Sequence, residues 1–138
     1  MNFRESRHRQ VDIFHLEGEI DLNHAPALRA LFQAKAIGRC PALVVDLSGV
    51  PLIDSTGISV LLEYLRDASD FNGRFCFAAP TTHVRTVFEM IRIDRVVPIF
   101  DSVAAATEVL SGSEESAPRE PSYYASAAPM NNRCGQAA

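Results

Sequence analysis

The hydrophobic residues of this chain follow the two-residue period of a strand in some segments and a helical period in others. Residues 11–17 alternate, with Val11 and Ile13 on one side and Phe14 and Leu16 on the other. This alternation predicts a β-strand, which ends at the glycine-containing turn that follows. The preceding residues, 4–9, are a candidate antiparallel partner for it.

Three later segments also predict strands. Residues 42–47 form a continuous apolar run that contains two valines and is flanked by proline and glycine. A short run of this kind favours a buried strand over a helix. Residues 74–78 and 96–100 predict two more strands. Pro98 places the last one at a sheet edge, because proline lacks the N–H that a central strand donates.

Apolar residues recur three and four positions apart in four segments that follow strands, which predicts four helices. The first begins near Pro26, which the first turn of a helix tolerates, and ends at Gly38. The second begins near Ser55, and the others cover residues 84–91 and 103–110. The predicted core face of the second helix consists of Ile58, Leu61, Leu62 and Leu65.

The predicted elements follow the order β-β-α-β-α-β-α-β-α. Repeated β-α units indicate an α/β fold with right-handed crossovers. We therefore expect a mainly parallel (mixed) sheet of four to five strands packed with about four helices. The pattern leaves open whether the helices cover one face of the sheet or both.

The composition changes sharply near Ser111, where apolar periodicity ends and Ser, Glu, Pro, Ala and Asn become frequent. Such a segment buries too little apolar surface to offset the entropy lost on ordering. We predict one folded domain over residues 1–111 and a disordered tail over residues 112–138. Tyr123 and Tyr124 form either a short partner-binding motif or a part of the solvated tail.

The overall charge is mildly acidic, with a formal net charge of −4, 47 % apolar residues and 22 % charged residues. This balance argues against nucleic acid as a direct partner, since nucleic acid requires a basic surface. No apolar run approaches the roughly 18 residues that membrane insertion needs, and the N-terminus lacks a signal-peptide core. Three widely spaced cysteines indicate free thiols in a cytoplasmic protein.

Residues 52–58 connect a predicted buried strand to a predicted helix and read Leu-Ile-Asp-Ser-Thr-Gly-Ile. Serine is a good N-cap, and the unpaired N–H groups of a first helical turn stabilise a nearby anion. A phosphate on Ser55 is therefore compatible with the helix beneath it. An Asp-Ser pair in this place also commonly serves only as a cap, so both roles stay open on local sequence.

Other chemistries find little support in the sequence. Residues 54–57 contain one residue too many for the Asp-Thr/Ser-Gly motif of aspartic proteases, and no Gly-x-Ser-x-Gly elbow surrounds Ser55. Histidines are scattered, so serine catalysis lacks an evident base. The chain has no Walker lysine near the turn and no zinc-ligand spacing. We expect no enzymatic activity, cofactor or metal.

The motif in its setting resembles the STAS domain, and within that family the bacterial anti-sigma-factor antagonists. The resemblance rests on Val-Val-Asp-Leu-Ser at residues 44–48, Ile-Asp-Ser-Thr-Gly-Ile at residues 53–58, and Leu-Glu-Gly-Glu-Ile-Asp at residues 16–21. It covers roughly residues 9–110. It implies a STAS fold and a regulatory binding protein.

The resemblance implies that Ser55 is phosphorylated by an anti-sigma factor that is also a serine kinase of the histidine-kinase-like ATPase type. In that family the unphosphorylated antagonist binds the kinase and frees the sigma factor. Phosphorylation breaks the complex, and a PP2C-type phosphatase restores it. The alternative is a STAS accessory subunit of a transporter or signalling assembly.

By motif position, Asp54 shapes the charge and hydrogen bonding around Ser55. Thr56 is either a second phosphoacceptor or a source of capping hydrogen bonds. Gly57 permits either close approach of a partner backbone or only tight turn geometry.

Three further residues are candidates for partner binding. The resemblance places Asp21 on a loop near the same surface, although an acidic cap before Asn23 explains it equally well. Val60 and Tyr64 lie off the predicted core face of the second helix and are candidate interface anchors. Isolated exposed apolar residues without a function are the alternative.

Overall fold

The computed structural model describes residues 1–116, so most of the predicted tail lies outside the described residues. The chain forms β-strands, α-helices and one 3₁₀-helix in an order that matches the predicted one. Their bounds are β1 Asn2–His8, β2 Val11–Glu17, α1 Ala25–Ile37, β3 Ala42–Gly49, α2 Ser55–Asp70, β4 Arg74–Ala78, α3 Thr82–Ile91, a 3₁₀-helix Ile93–Arg95, β5 Ile99–Phe100 and α4 Val103–Ser116.

The described strands form one five-stranded sheet in the order β1-β2-β3-β4-β5. β1 pairs antiparallel with β2, and the remaining neighbours pair parallel. The predicted mixed α/β sheet and the antiparallel first strand are therefore confirmed. β5 lies at the sheet edge that Pro98 predicts, although it is only two residues long.

The helices cover both faces of the sheet, which answers the question that the pattern left open. α1, α2 and α3 pack on one face with Phe14 and Leu16 of β2. α4 packs on the other face with Val11 and Ile13 of the same strand. The alternation along β2 thus separates two hydrophobic clusters, because successive side chains of a strand point to opposite faces.

Aromatic rings join the larger cluster. The Phe32 ring on α1 lies 5.3 Å from Phe14 of β2, 5.1 Å from Tyr64 of α2 and 6.1 Å from Phe75 of β4, between ring centroids. All four side chains are at most 2 % exposed. These contacts fix the position of α2 on the sheet, and α2 carries the predicted functional turn.

α4 continues to Ser116, five residues past the predicted domain boundary at residue 111. The boundary was placed where apolar periodicity ends, and periodicity reports which residues are buried rather than where a helix stops. Leu110 of α4 belongs to the smaller hydrophobic cluster. The predicted tail beyond Ser116, with Tyr123 and Tyr124, lies outside the described residues.

Candidate functional site

Two loops meet at the carboxyl ends of the parallel strands β2 and β3. Ile20, after β2, pairs with Ile53, after β3, in an isolated parallel bridge. The Ile20 N–H donates to the Leu52 carbonyl at 3.0 Å, and the Asp54 N–H donates to the Ile20 carbonyl at 3.1 Å. This bridge fixes the start of α2 against the β2–α1 loop.

Asp54 is the N-cap of α2, which corrects the expectation that Ser55 caps the helix. Its Oδ1 accepts a hydrogen bond from the Gly57 N–H at 3.0 Å. Its Oδ2 accepts a second from the Leu22 N–H at 3.2 Å and so connects the two loops. One carboxylate therefore both caps the helix and fixes the site.

Ser55 is the first residue of α2 and is exposed. Among residues 1–116, no hydrogen bond involves its hydroxyl, because Asp54 performs the capping. Thr56 is half-buried. The hydroxyl of Ser55 is thus free to react without loss of a structural contact, and it stands at the positive end of a 16-residue helix.

Gly57 is buried against its own chain, which corrects the prediction that it receives a partner backbone. A Cβ at this position would lie 2.5 Å from Ile20 Cγ2, 3.0 Å from Ile53 Cγ1 and 3.1 Å from the Ile20 carbonyl oxygen. Glycine is needed here because the bridge between the two loops passes directly over the first turn of α2.

Val60 and Tyr64 are each 1 % exposed, so the prediction that they anchor a partner is wrong. The buried face of α2 is rotated relative to the predicted one, because small residues belong to it. It comprises Gly57, Val60, Leu61, Tyr64 and Ala68. The spacing of Gly57, Leu61, Tyr64 and Ala68 is itself helical, and it was missed because glycine and alanine do not count as strongly apolar.

Tyr64 packs between Phe32 and Phe75, with ring centroids 5.1 Å and 5.0 Å away. Its hydroxyl is buried without a hydrogen-bond partner among the described residues. Burial, with further contributions from Cys40 and nearby carboxylates, raises the pKa of Tyr64. Tyr64 is therefore a core aromatic residue that stays neutral.

Three exposed leucines lie on the two loops and on α2. Leu62 was predicted to belong to the core face of α2, and its exposure shows that this prediction is wrong. Leu22 is 69 % exposed, Leu52 44 % and Leu62 43 %. Leu62 lies two turns after Ser55 on the same helical face, with Ser59 between them. The available signal was the occurrence of leucine in the polar loops that hold Leu22 and Leu52.

Asp21 closes the turn before α1. Its Oδ1 accepts from the N–H groups of Asn23 and His24 at 3.0 and 3.2 Å and contacts His24 Nδ1 at 2.8 Å. Its side chain is 32 % exposed and sits between Ile20 and Leu22, which both bond to the α2 loop. The turn role is thus present, beside the candidate surface.

A bidentate ion pair joins α1 to α2 beside the site. Arg29 Nε and Nη2 donate to the two carboxylate oxygens of Glu63 at 2.8 and 3.0 Å. The Arg29 guanidinium lowers the pKa of Glu63. Since both side chains are more than a third exposed, the pair sets geometry more than it adds stability.

Within residues 1–116, no group of His, Cys, Asp and Glu side chains is arranged to hold a metal ion. Of the helices in that range, none is long and apolar enough to cross a membrane. Cys40 and Cys76 are buried, and burial raises the pKa of the Cys40 thiol to about 11, so this thiol is protonated near neutral pH.

The sequence profile of the STAS domain matches residues 4–106, about three quarters of the chain. The chain belongs to the STAS domain family. A candidate anti-sigma factor antagonist of Thermotoga neapolitana is 31 % identical over 70 residues, 51 % of this chain but only 62 % of that relative. An anti-sigma F factor antagonist of Paenibacillus polymyxa is 29 % identical over 105 residues, 74 % of this chain and 89 % of the relative.

The solved structures agree with the fold. The crystal structure of a candidate anti-sigma factor antagonist from Thermotoga maritima superposes with a TM-score of 0.74 at 25 % identity. The match covers 78 % of this chain and 93 % of that one. The five-stranded mixed sheet with its four helices is therefore the STAS fold.

Proposed function

We propose that this protein is an anti-sigma-factor antagonist whose unphosphorylated form binds an anti-sigma factor with serine kinase activity and so frees a sigma factor. The observation that carries the proposal is the exposed Ser55 hydroxyl, which begins α2 and takes no part in holding the fold. The similarity to antagonists named for this activity supports it.

The surface around Ser55 suits a protein partner. Leu22, Leu52 and Leu62 expose apolar area near the hydroxyl, and Asp54 holds the loop of Leu22 in place. Interfaces gain most of their affinity from a few apolar anchors that lose contact with water. A kinase docked on these leucines would bring its active site to Ser55.

A phosphate on Ser55 would change the partner contact more than the fold. It adds roughly −1.5 to −2 charges. The helix start offsets part of this charge, while Asp54 and the half-exposed Asp21 already make the surface acidic. A partner that buries this surface must then desolvate the phosphate, so the complex dissociates.

Three further parts of the proposal follow from the same assignment. The kinase is of the histidine-kinase-like ATPase type, and a PP2C-type phosphatase removes the phosphate. The protein acts in the cytoplasm and controls transcription without contacting nucleic acid itself. It contributes no catalytic group and no cofactor, and Thr56, which is half-buried, is not the primary acceptor.

The test is phosphorylation by the cognate kinase with ATP, with the modified residue located by mass spectrometry. Ser55→Ala should abolish labelling and keep binding. The matched control is Ser59→Ala, one turn later on the same exposed face, which should be labelled like the wild type. Undiminished labelling of Ser55→Ala would contradict the assignment.

A pull-down separates the proposed partner from the alternative one. Wild-type protein should capture a histidine-kinase-like anti-sigma factor, and Ser55→Asp should capture less of it, with a loss of a few kcal/mol if the contact is buried. Capture of a transporter subunit, equal for both forms, would favour the accessory-subunit alternative.

A further inference from the structure

A groove opens on the face of the sheet that α4 covers, beside the turn between β1 and β2. Its volume is about 460 Å³, within the roughly 300–1,000 Å³ of small-molecule pockets. α4 packs mainly over β2 to β5 rather than over β1, so a step forms between the helix and the hairpin. The groove lies at the opposite end of β2 and β3 from Ser55, on the opposite face.

The floor and one wall of the groove are apolar. Ile13 of β2 supplies the floor, and Val103 and Ala104 of α4 supply the wall. Thr107 also lines it, but its hydroxyl already donates to the Val103 carbonyl at 2.7 Å. Ala104 is too small to fill the space between α4 and the hairpin, which keeps the groove open.

Two nitrogen donors border the groove at the hairpin. His8 ends β1 and Arg9 begins the turn, and within residues 1–116 neither forms an ion pair. Glu108 of α4 also lines the groove and offsets part of the positive charge. An arginine can donate two parallel hydrogen bonds to one carboxylate. A monoanion meets less repulsion from Glu108 than a dianion would.

Two neighbouring polar side chains on this face, Ser6 and His15, are already paired. Ser6, the cross-strand partner of Ile13, bonds to His15 Nε2 at 2.9 Å, and His15 Nδ1 bonds to Asp46 at 2.7 Å. The side chains of Ser6, His15 and Asp46 thus form hydrogen bonds with one another. Arg4 lies on the same face of β1 but does not line the groove, so recognition of a charged group there falls to His8 and Arg9.

Arg9 occupies a turn position where asparagine or glycine would be more stable. His8 pairs with Val11, so Arg9 and Gln10 form a two-residue hairpin loop with φ of 55° and 68°. Such loops favour Asn-Gly, because both residues adopt positive φ. An Arg-Gln pair in this conformation carries backbone strain, which is common where a residue serves recognition.

From this geometry we infer that the groove binds a small amphipathic monocarboxylate, with the carboxylate on Arg9 and His8 and the apolar body on Ile13, Val103 and Ala104. The ligand is an effector whose site is separate from the Ser55 surface. Both sites can be occupied at once, because they lie on opposite faces of the sheet.

The probe is decanoate, titrated below its micellar concentration into the full chain and followed by amide chemical shifts. We expect saturable shifts at residues 8–13 and 103–108. Decanol should bind at least tenfold more weakly. Absence of saturable shifts, shifts centred instead on Leu22, Leu52 and Leu62, or equal binding of decanol would overturn the inference.

Two pairs of variants test the contacts. Arg9→Asn with Gln10→Gly should weaken decanoate binding at least tenfold while the melting temperature stays equal or rises, and Gln10→Gly alone should bind within twofold of wild type. Ala104→Phe should block the groove, whereas Ala34→Phe on the exposed face of α1 should not. Wild-type affinity in the double variant or in Ala104→Phe would refute the site.

Ser55→Ala should bind decanoate like the wild type, so the inference stands or falls separately from the proposed function. Reduced decanoate affinity in Ser55→Ala would refute a site that is independent of the Ser55 surface.

Discussion

The two faces of α2 differ in what their residues contact and in what a substitution there should change. Gly57, Leu61 and Tyr64 are buried against the sheet and the loops, where they fix the position of the helix. Ser55 and Leu62 on the other face are exposed and can change without disturbing the core. One side of the helix therefore contributes to stability, and the proposed partner surface lies on the opposite side.

This separation is what the proposed phosphorylation switch requires of a small domain. Asp54 rather than Ser55 caps the helix, so the hydroxyl of the proposed phosphoacceptor makes no structural hydrogen bond among the described residues. The buried face keeps α2 in place whether or not Ser55 carries a phosphate. A substitution on the buried face that weakens binding of the proposed partner, or one on the exposed face that lowers stability, would show that the separation is incomplete.

The largest effect is expected at Tyr64. Replacing Tyr64 with Ala removes a ring that packs between Phe32 and Phe75, and large-to-small changes of this kind cost about 3–5 kcal/mol in the free energy of unfolding. Urea denaturation measures it. A loss below about 1 kcal/mol would show that the core of α2 is placed differently.

Tyr64→Phe is the matched control, because it keeps the ring and removes only the hydroxyl. That hydroxyl is buried without a partner, and an unsatisfied buried polar group is unfavourable. We expect the free energy of unfolding to stay equal or to rise by up to about 1 kcal/mol. Kinase binding by the Phe variant should equal that of the wild type.

A smaller loss of stability is expected for Gly57→Ala. The added methyl would lie 2.5 Å from Ile20 Cγ2 and 3.1 Å from the Ile20 carbonyl. Overpacking typically costs about 1–3 kcal/mol, which should outweigh the gain of about 1 kcal/mol in helix propensity. Thermal unfolding measures the loss, and Ser59→Ala, an exposed change on the same helix, is the control. An unfolding temperature of Gly57→Ala at or above that of the wild type would contradict the close packing.

Much of the fold follows from periodicity alone. The alternation in residues 11–17 and the apolar run of residues 42–47 predict β2 and β3, because deeply buried strands select apolar side chains over most of their length. The end of α1 at Gly38 and the edge position of β5 were also predicted, from glycine and proline. The length of α4 was not, since apolar periodicity ends before the helix does.

The site was only partly predictable from the sequence. The motif located the turn and Ser55, but the role of Asp54 in joining the two loops depends on a hydrogen bond from the Leu22 N–H, 32 residues earlier in the chain. The burial of Tyr64 depends on how α2 rotates on the sheet, and the small residues Gly57 and Ala68 determine that rotation. Tertiary contacts of this kind are not encoded in the helical period of the strongly apolar residues.

The smallest effect on stability and a clear effect on binding are expected at Leu62. Its side chain is 43 % exposed, and surface substitutions usually change the free energy of unfolding by less than about 0.5 kcal/mol. If it anchors the proposed partner, Leu62→Ser should weaken the complex about tenfold, or about 1.4 kcal/mol. Calorimetric titration with the anti-sigma factor measures this.

Ile37→Ser is the control for Leu62, because Ile37 is 85 % exposed but ends α1 at the far end of the sheet from Ser55. It should leave the affinity unchanged. Equal weakening by both substitutions would mean that exposed apolar area in general, rather than the face shared by Ser55 and Leu62, drives association. Weakening by Leu62→Ser alone would place the partner on the face of α2 that the core does not use.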